Sequence, residues 1–337
     1  MIAPVAELHD GTSDVARLLG AVVIESADRL TFAGRPVTLD AGGDGDVSET
    51  ACRTLAELFY VFGYCRRFDG TLADPPNLNG VDLCDALSRA NSSRAGWDEG
   101  YIVERVHTDG SVDAARGARS VRTRAGQYVL EDGEPSPRPG SPVRIARARE
   151  SRRAQPGYYY AFGETALDLD AASRAVRLYW NVRVDGATEL LRTMTTKLNA
   201  LRVPFVMKVC SCSGLFTRID TAVLYVAARY VDATAWIVAG ELGELAHLLR
   251  PDTPLFTKRL APGLALAEDP GGESFGLARC MLLASATWSA WAAGRNDVAG
   301  RLAALRRLAG EAGLSLERLY LNPGSVDRYR LPRTAPR

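Results

Sequence analysis

Three strand-like runs in the second half of the chain constrain its fold most strongly. They cover residues 177–184, 203–207 and 222–228, and each has a length typical of a strand rather than a helix. The segment 187–201 between them has helical character and ends before Pro204, because the residue that precedes a proline resists helix. Helices come first along the chain, and strands mixed with helices come later, without a regular βαβ alternation. The sequence therefore predicts the α+β class, with a mainly helical N-terminal part and a small β element, followed by a mixed α/β domain.

Hydrophobic spacing and turn residues predict the other elements. Helices are predicted at residues 15–24, 48–68, 81–91, 236–249, 275–293 and 296–309, and short strands at residues 101–106, 120–124, 128–131, 143–145, 254–258 and 263–267. Ser48 and Ser274 are predicted to cap the helices that follow them. The tail from Asn322 is rich in Pro and Arg and is expected to be loose. The pattern changes near Pro156, which predicts two regions, 1–155 and 156–337.

The composition argues against several functional classes. The net charge is +1 and the basic residues are spread over 337 positions, which argues against bulk electrostatic binding of nucleic acid or membrane. The first residues lack the basic segment of a signal peptide, and the longest apolar stretch, residues 281–293, is too short to span a bilayer. The six cysteines form no CxxC pair, and no histidine lies at metal-ligand spacing. We therefore expect reduced thiols, no metal and a cytoplasmic location.

Common catalytic motifs are missing from the sequence. It has no GxxxxGK[ST] loop, no strand-linked GxGxxG and no HExxH. Its three histidines belong to no motif, so a histidine-based triad is not expected.

Lysine is rare in this chain, which has only Lys197, Lys208 and Lys258 among 41 basic residues. Arginine stays protonated at any usable pH, whereas a buried lysine can lose its proton and act as a base. Lys208 follows the apolar run 203–207 directly, so it is expected on a buried strand. The alternative is that all three lysines are ordinary surface residues.

Four cations of the second half are candidates for an anion site: Lys208, Arg218, Lys258 and Arg279. Arg279 is predicted in the first turns of the helix that Ser274 caps, and a helix N-terminus suits phosphate. The planar guanidinium of arginine matches phosphate oxygens. The alternative is a set of separate salt bridges to the acids nearby, which are Asp220, Glu268, Asp269 and Glu273.

Several short runs in residues 156–282 resemble the HopA-type effector family. The runs are Arg177-Leu-Tyr-Trp-Asn181, Leu198-Asn199, Val203-Pro-Phe-Val-Met-Lys208, Arg218-Ile-Asp220, Val223-Leu-Tyr-Val226, Phe256-Thr-Lys258, Glu268-Asp-Pro270, Ser274-Phe-Gly276 and Arg279-Cys280. The combination is more specific than any one run. A chain of this length also resembles the stand-alone members of class V lanthipeptide and thioamitide (thioviridamide-like) biosynthesis. The resemblance implies a lyase that works with a separate kinase, which phosphorylates Ser and Thr of a precursor peptide. The lyase then eliminates phosphate to leave dehydroalanine or dehydrobutyrine.

This resemblance assigns roles to the candidate residues. Lys208 would be the base, and Lys197 is a weaker candidate. Arg218, Lys258 and Arg279 would bind the phosphate. Better-known phosphothreonine lyases have a histidine near the base, whereas Val209 and Cys210 follow Lys208 here. The identity of the general acid is therefore open. The candidates are Tyr160, Tyr179 and Asp220, unless a phosphate that is already singly protonated leaves without a general acid.

The resemblance also implies partners. No cofactor is expected, and the partners would be the leader and core of the phosphorylated peptide, the kinase and, as a further candidate, a cyclase. Region 156–337 would be the catalytic domain, and region 1–155 is a candidate for peptide binding. Nine arginines in 116–124 and 144–153 are either a solvated face or a guide for an acidic peptide. The alternative function is a non-catalytic effector-like or scaffold protein that binds a peptide or a partner protein.

Overall fold

The structure is a computed structural model that describes residues 11–39, 46–117, 119–167, 174–272 and 274–332. Its helices are α1 Gly11–Gly20, α2 Val47–Phe59, α3 Cys84–Ala90, α4 Ala187–Ala200, α5 Val231–Leu245, α6 Phe275–Ala292 and α7 Val298–Glu311. Its strands are β1 Val22–Ser26, β2 Arg29–Phe32, β3 Arg35–Val37, β4 Gly96–Val106, β5 Val112–Arg116, β6 Arg119–Thr123, β7 Tyr128–Leu130, β8 Pro142–Arg147, β9 Glu150–Ser151, β10 Tyr158–Phe162, β11 Ala175–Trp180, β12 Phe205–Cys210, β13 Ala222–Ala227, β14 Lys258–Ala261 and β15 Leu264–Glu268. The predicted α+β class is confirmed.

The central element is a seven-stranded antiparallel sheet in the order β14-β15-β11-β13-β12-β10-β9. Paired residues on neighbouring strands point to the same face, so the register sorts the side chains into two sets. One row runs through Tyr160, Lys208, Val223, Tyr179, Ala265 and Arg259. We call the face with this row the site face. The next row, on the opposite face, runs through Ala161, Met207, Leu224, Leu178, Leu266 and Lys258.

Helices cover both faces of this sheet. On the opposite face, α4 and α5 bury residues such as Leu191, Met194 and Val238 against the strands. On the site face, α2 and α6 pack over Tyr179 and Val223 in a second core, which also includes parts of α1 and α7. Burial on both sides explains why strands β12 and β13 are almost continuously apolar. Among the helices of the described ranges, none has the length and apolar character that a membrane crossing needs.

Two smaller sheets belong to the N-terminal half. Strands β1 to β3 form a three-stranded sheet whose residues join the core on the site face. Strands β4 to β8 form a five-stranded sheet in the order β6-β5-β4-β8-β7, with a small core of its own around Tyr101, Val103 and Val143. Strand β5 was not predicted, although the four neighbouring strands were.

The boundaries of some predicted elements differ from the structure. The helix predicted at 15–24 ends at Gly20, and the β-branched residues that follow it form β1. The helix predicted from Ser48 begins at Val47, and Asp46 caps it by accepting a hydrogen bond from the Ser48 N–H. It continues beyond Phe59 as a π-helical turn at Tyr60–Tyr64, and such turns occur often at functional sites.

The tail from Asn322 is not loose within the described residues, which end at 332. The Tyr329 side chain is buried, and its hydroxyl donates a hydrogen bond to Glu268 at 2.6 Å. The Asn322 amide donates to the backbone oxygen of Asp269 at 2.7 Å. These contacts hold the tail against the sheet. A Pro- and Arg-rich composition did not reveal them, because they depend on single polar contacts.

Glu150 links helix α3 to the edge of the large sheet. Its carboxylate accepts hydrogen bonds from the hydroxyls of Tyr159 at 2.7 Å and Ser88 at 2.8 Å, and it pairs with Arg149 at 3.1 Å. Burial raises the pKa of Glu150, but these hydrogen bonds and the nearby arginines outweigh burial and hold the pKa below its ordinary value. The charged form of Glu150 therefore stabilises the folded state.

This lowered pKa predicts acid-sensitive stability at one position. The contribution of Glu150 is present above the ordinary pKa of 4.5 and is lost as the pH falls through the lower folded-state pKa. We expect Glu150→Gln to cost about 1 kcal/mol of unfolding free energy at neutral pH and progressively less in acid. Urea denaturation of both proteins across the acid range measures this. A difference that stays constant with pH would contradict the assignment.

Candidate functional site

Lys208 occupies the middle of β12 on the site face and is half-buried. Its Nζ lies 4.6 Å from the centroid of the Tyr158 ring, a distance typical of a cation–π contact. The other two lysines are held by carboxylates: Lys197 pairs with Glu241 at 2.8 Å, and Lys258 pairs with Asp327 at 2.6 Å. Lys208 forms no salt bridge with any carboxylate of the described residues. Among the three lysines, Lys208 is therefore the one that forms no ion pair with a carboxylate of the described residues.

Tyr160 lies directly across from Lys208 in the register between β10 and β12. Its hydroxyl donates a hydrogen bond to the side-chain oxygen of Gln155 at 2.8 Å. Burial raises the pKa of Tyr160, and the positive charge of Lys208 opposes this shift. The Tyr160 hydroxyl therefore keeps its proton at neutral pH and is able to donate it. The sequence-predicted base and one sequence-predicted acid candidate are thus neighbours on one face.

Arg218 and Asp220 form a second group next to Lys208. The Arg218 guanidinium binds Asp220 through two parallel hydrogen bonds of 2.7 and 2.8 Å, and it also donates to the Tyr60 hydroxyl at 3.0 Å. Both side chains are largely buried, with exposed fractions of 11% for Arg218 and 6% for Asp220. This geometry makes Asp220 the partner that orients Arg218. Tyr60 comes from the π-helical turn after α2, so an N-terminal element contributes to the group.

Cys210 shows that the two groups lie close together. It follows Lys208 by two residues on β12 and therefore points to the same face. The pKa of Cys210 is raised to about 12, because burial and the charge of Asp220 outweigh the opposing charges of Arg218 and Lys208. The charges of all three residues therefore act on this thiol. At this pKa the thiol stays protonated at neutral pH and is a poor nucleophile.

Sequence reasoning did not single out Arg177, Tyr158 or Tyr225, which also lie on the site face. Arg177 binds Asp269 through hydrogen bonds of 3.0 and 2.8 Å, and its guanidinium lies 5.3 Å from the centroid of the Tyr225 ring. Burial raises the pKa of Tyr225 to about 12, and the charge of Arg177 opposes it. The signal that could have found these residues is the alternation along the strands, since Arg177 and Tyr158 each lie two positions from a residue of the Lys208 row.

Tyr179, an alternative acid candidate, belongs to the Lys208 row but is buried under the helices. Its ring packs edge-on against Tyr64 with centroids 6.4 Å apart, and burial raises its pKa. Lys197 lies on α4, which covers the opposite face, and is half-exposed. The sequence-predicted acids therefore have different surroundings, and among them Tyr160 is the one that is both half-buried and directly beside Lys208.

Lys258 is not brought together with Lys208. It pairs in the register with Leu266 and so belongs to a row of the opposite face. Its Nζ contacts both carboxylate oxygens of Asp327 at 2.7 and 2.6 Å, and the Tyr320 hydroxyl donates to the same carboxylate at 2.9 Å. Lys258 also borders a cleft of about 430 Å³, whose walls include Gly63 and Phe68 from the N-terminal elements. The described contacts of Lys258 are those of a structural ion pair.

Arg279 lies on α6, and none of its described contacts is with Lys208. It is 7% exposed, and its guanidinium donates hydrogen bonds to the backbone oxygens of Leu319 at 2.8 Å and Leu321 at 3.1 Å. Burial lowers the pKa of Arg279, and the charge of Glu268 opposes this shift. The described contacts of Lys258 and Arg279 therefore do not bring them together with Lys208 and Arg218. Of the acids considered as their partners, Asp220 binds Arg218 and Asp269 binds Arg177, whereas Glu273 lies outside the described residues.

Replacing Arg279 distinguishes a structural role from phosphate binding. Arg279→Met leaves two buried carbonyl groups without their donor, so we expect it to lower the free energy of unfolding by about 2 kcal/mol or more. Urea denaturation measures this, with Arg307→Met, at a half-exposed position on α7, as the control. The stabilisation of the protein by added phosphate should be the same in wild type and variant. Loss of that phosphate effect in Arg279→Met alone would restore Arg279 as a phosphate ligand.

The site face thus combines an uncommitted lysine, a proton-bearing tyrosine and an oriented arginine. Such a set suits proton abstraction next to an anionic group that the arginine holds. Within the described residues, no group of three or more His, Cys, Asp or Glu side chains is arranged to hold a metal ion.

Comparison with known proteins identifies the family. The HopA1 effector protein family matches residues 149–321, which is just over half of the chain. The effector protein from Pseudomonas syringae pv. tomato strain DC3000 is 22% identical, with a TM-score of 0.38, and the match covers 49% of this chain and 62% of that one. The effector protein from Pseudomonas syringae pv. syringae strain 61 is 16% identical, with a TM-score of 0.44, and the match covers 82% and 97%. No curated protein matches this chain. On the extent of the family match, the chain belongs to the HopA1 effector protein family.

Proposed function

We propose that this protein is a phosphoserine/phosphothreonine lyase that acts on a phosphorylated precursor peptide of a ribosomally made, modified peptide. Its product would be dehydroalanine from phosphoserine and dehydrobutyrine from phosphothreonine. A separate kinase must supply the phosphorylated peptide, because the sequence carries neither a P-loop nor a kinase signature. We place this reaction in the cytoplasm.

The observation that carries the proposal is Lys208. It is the one lysine without a described carboxylate partner, it is half-buried, and its Nζ contacts the Tyr158 ring. In its amine form, Lys208 would take the proton from Cα of the phosphorylated residue. The electron pair of the Cα–H bond then forms the Cα–Cβ double bond. The Cβ–O bond breaks, and its electron pair leaves with the phosphate.

Arg218 would hold the phosphate in this reaction. Asp220 and the Tyr60 hydroxyl occupy its Nε and Nη2, which fixes the plane of the guanidinium. Its Nη1 has no hydrogen-bond acceptor in the part of the chain that the structure describes, and this nitrogen would meet the phosphate oxygens. A pre-oriented cation stabilises the charge that develops on a leaving phosphate without reorganising at that moment.

Tyr160 would supply the proton to the departing oxygen. It faces Lys208 across one strand pairing, and its raised pKa means that it carries its proton when the phosphate leaves. Asp220 is a positioning residue in this scheme, since both of its oxygens bind Arg218. Lys258 and Arg279 have no part in it. The reaction as written needs no cofactor.

Peptide mass tests the proposal directly. A phosphothreonine peptide incubated with the protein should lose about 98 Da, the mass of phosphoric acid expelled by elimination. A loss of about 80 Da would mean hydrolysis and would overturn the proposal. An unchanged phosphopeptide, tested with its native leader attached, would favour the alternative function, a protein that binds the peptide without chemistry.

A further inference from the structure

A second cavity lies beside the site face. It measures about 300 Å³, and its walls include the apolar side chains of Phe162, Val206, Ile145 and Leu167. Strands β10 and β12 of the large sheet and β8 of the five-stranded sheet contribute to these walls. The volume is at the lower end of ligand pockets, which span roughly 300–1,000 Å³. It therefore suits one or two side chains of a peptide rather than a large cofactor.

The cavity lies next to the proposed catalytic group along the strands. Phe162 and Val206 are paired across β10 and β12, two residues along the strands from the pair of Tyr160 and Lys208. All four side chains therefore point to the site face. The rings of Tyr160 and Phe162 are in contact, with centroids 6.5 Å apart. A peptide whose phosphorylated residue lies at Lys208 would have this cavity as its immediate neighbour.

The spacing indicates which residue of the peptide would reach the cavity. Two residues along a strand correspond to roughly 6.6 Å, and an extended peptide has the same rise per residue. Side chains at positions i and i+2 of an extended chain point to the same side. A peptide aligned with β10 and β12 would thus place the side chain two residues from the phosphorylated residue into the cavity.

The charges at the cavity favour an apolar occupant. Arg147 binds Asp98 at 2.8 Å, and the exposed fractions of the two side chains are 17% and 11%. These two charges therefore neutralise each other within the wall, and the third charged residue of the lining, Arg119, is exposed to solvent. An apolar side chain buries its surface against Phe162, Val206 and Leu167 without leaving a charge unpaired, whereas a carboxylate would lose its hydration there.

We propose that this cavity is the specificity pocket for an apolar side chain of the peptide substrate, at the second residue from the phosphorylated Ser or Thr. The inference rests on the proposed lyase function, because it assumes that the phosphorylated residue binds at Lys208. It adds a feature of the substrate, a large aliphatic or aromatic residue at a fixed distance.

A series of phosphothreonine peptides tests this pocket. A single leucine is moved through the positions on both sides of the phosphothreonine, in an otherwise small and polar sequence. We expect kcat/KM for elimination to rise at least about tenfold when the leucine lies two residues away on one side. Binding of the same peptides is measured by fluorescence anisotropy and should show the same preference.

Ala148→Trp fills the pocket and provides the decisive comparison. Ala148 is exposed and borders the cavity, so the change should affect stability little. The matched control is Ala233→Trp at an exposed position of α5, the helix on the opposite face. Ala148→Trp should abolish the leucine preference in both rate and binding, and the control should keep the preference.

Equal rates and affinities for all leucine positions, or a preference that survives Ala148→Trp, would overturn the pocket. Elimination without a positional preference would contradict the proposed specificity pocket but support the proposed lyase function. A positional preference in binding without any elimination would support the proposed specificity pocket but contradict the proposed lyase function.

Discussion

Lys208→Met is expected to reduce kcat for phosphate elimination by about 10²- to 10⁴-fold, the usual contribution of a general base. Methionine has a similar length but no amine, so the α-proton has no acceptor at this position. Lys208→Arg should be equally inactive, because a guanidinium keeps the positive charge but does not deprotonate. The measurement is the rate at which dehydrobutyrine forms from a phosphothreonine peptide. Partial rescue of Lys208→Met by added small amines would support the role of the amine.

The loss of activity should leave folding intact. Lys208 forms no described salt bridge, so its replacement should change the free energy of unfolding by no more than about 0.5 kcal/mol beyond the lost contact with the Tyr158 ring. Lys197→Met is the matched control, since it removes the half-exposed ammonium that pairs with Glu241 and should retain full activity. An active Lys208→Met protein would exclude Lys208 as the base.

Breaking the pair of Arg218 and Asp220 should have the largest effect on stability. Either Arg218→Met or Asp220→Ala leaves one buried charge without its partner, and such a loss costs about 3–5 kcal/mol. The double variant Arg218→Met/Asp220→Leu removes both charges together, and it should recover much of that stability. Urea denaturation of the two single variants and the double variant measures the coupling.

Activity separates the roles of the two residues in this pair. The double variant should remain inactive although it is stable, because the proposed phosphate ligand is gone. The positioning role of Asp220 is tested by Asp220→Asn, which retains one acceptor for the guanidinium and should raise KM for the phosphopeptide more than it lowers kcat. Additive stability losses in the double variant would contradict a coupled pair, and an active double variant would remove Arg218 from the phosphate site.

The apolar pattern of the strands predicted much of the large sheet. The apolar run before Lys208 predicted β12, and the run at 222–228 predicted β13, because strands buried on both faces must be continuously apolar. The combination of a strand with a rare lysine was enough to select Lys208 as the candidate base. The same alternation would have added Tyr158 and Arg177, had the face of each strand been followed.

The location of the other cations could not be read from the sequence. Lys258 lies on the opposite face because of its pairing with Leu266, and strand pairing is a property of the assembled sheet. Arg279 lies close to the N-terminus of α6. Its side chain nevertheless donates hydrogen bonds to the backbone oxygens of Leu319 and Leu321, some forty residues away. Contacts between distant segments depend on tertiary packing, which neither helix periodicity nor residue type determines.

The contribution of Tyr60 illustrates the same limit. It is held on the π-helical turn that extends α2, and it reaches Arg218 from the other half of the chain. Helical spacing predicted a helix through this segment, but nothing in the spacing indicated a change of helix type or a partner at a distance of more than a hundred residues.

The origin of the oxygens in the released phosphate tests the central claim most directly. The reaction is run with a phosphothreonine peptide in water enriched in the heavy isotope of oxygen, and the phosphate is analysed by mass spectrometry. Elimination breaks the Cβ–O bond, so the account predicts phosphate that retains all of its original oxygens and contains no heavy oxygen. Incorporation of one heavy oxygen would show attack of water on phosphorus and would contradict the lyase mechanism.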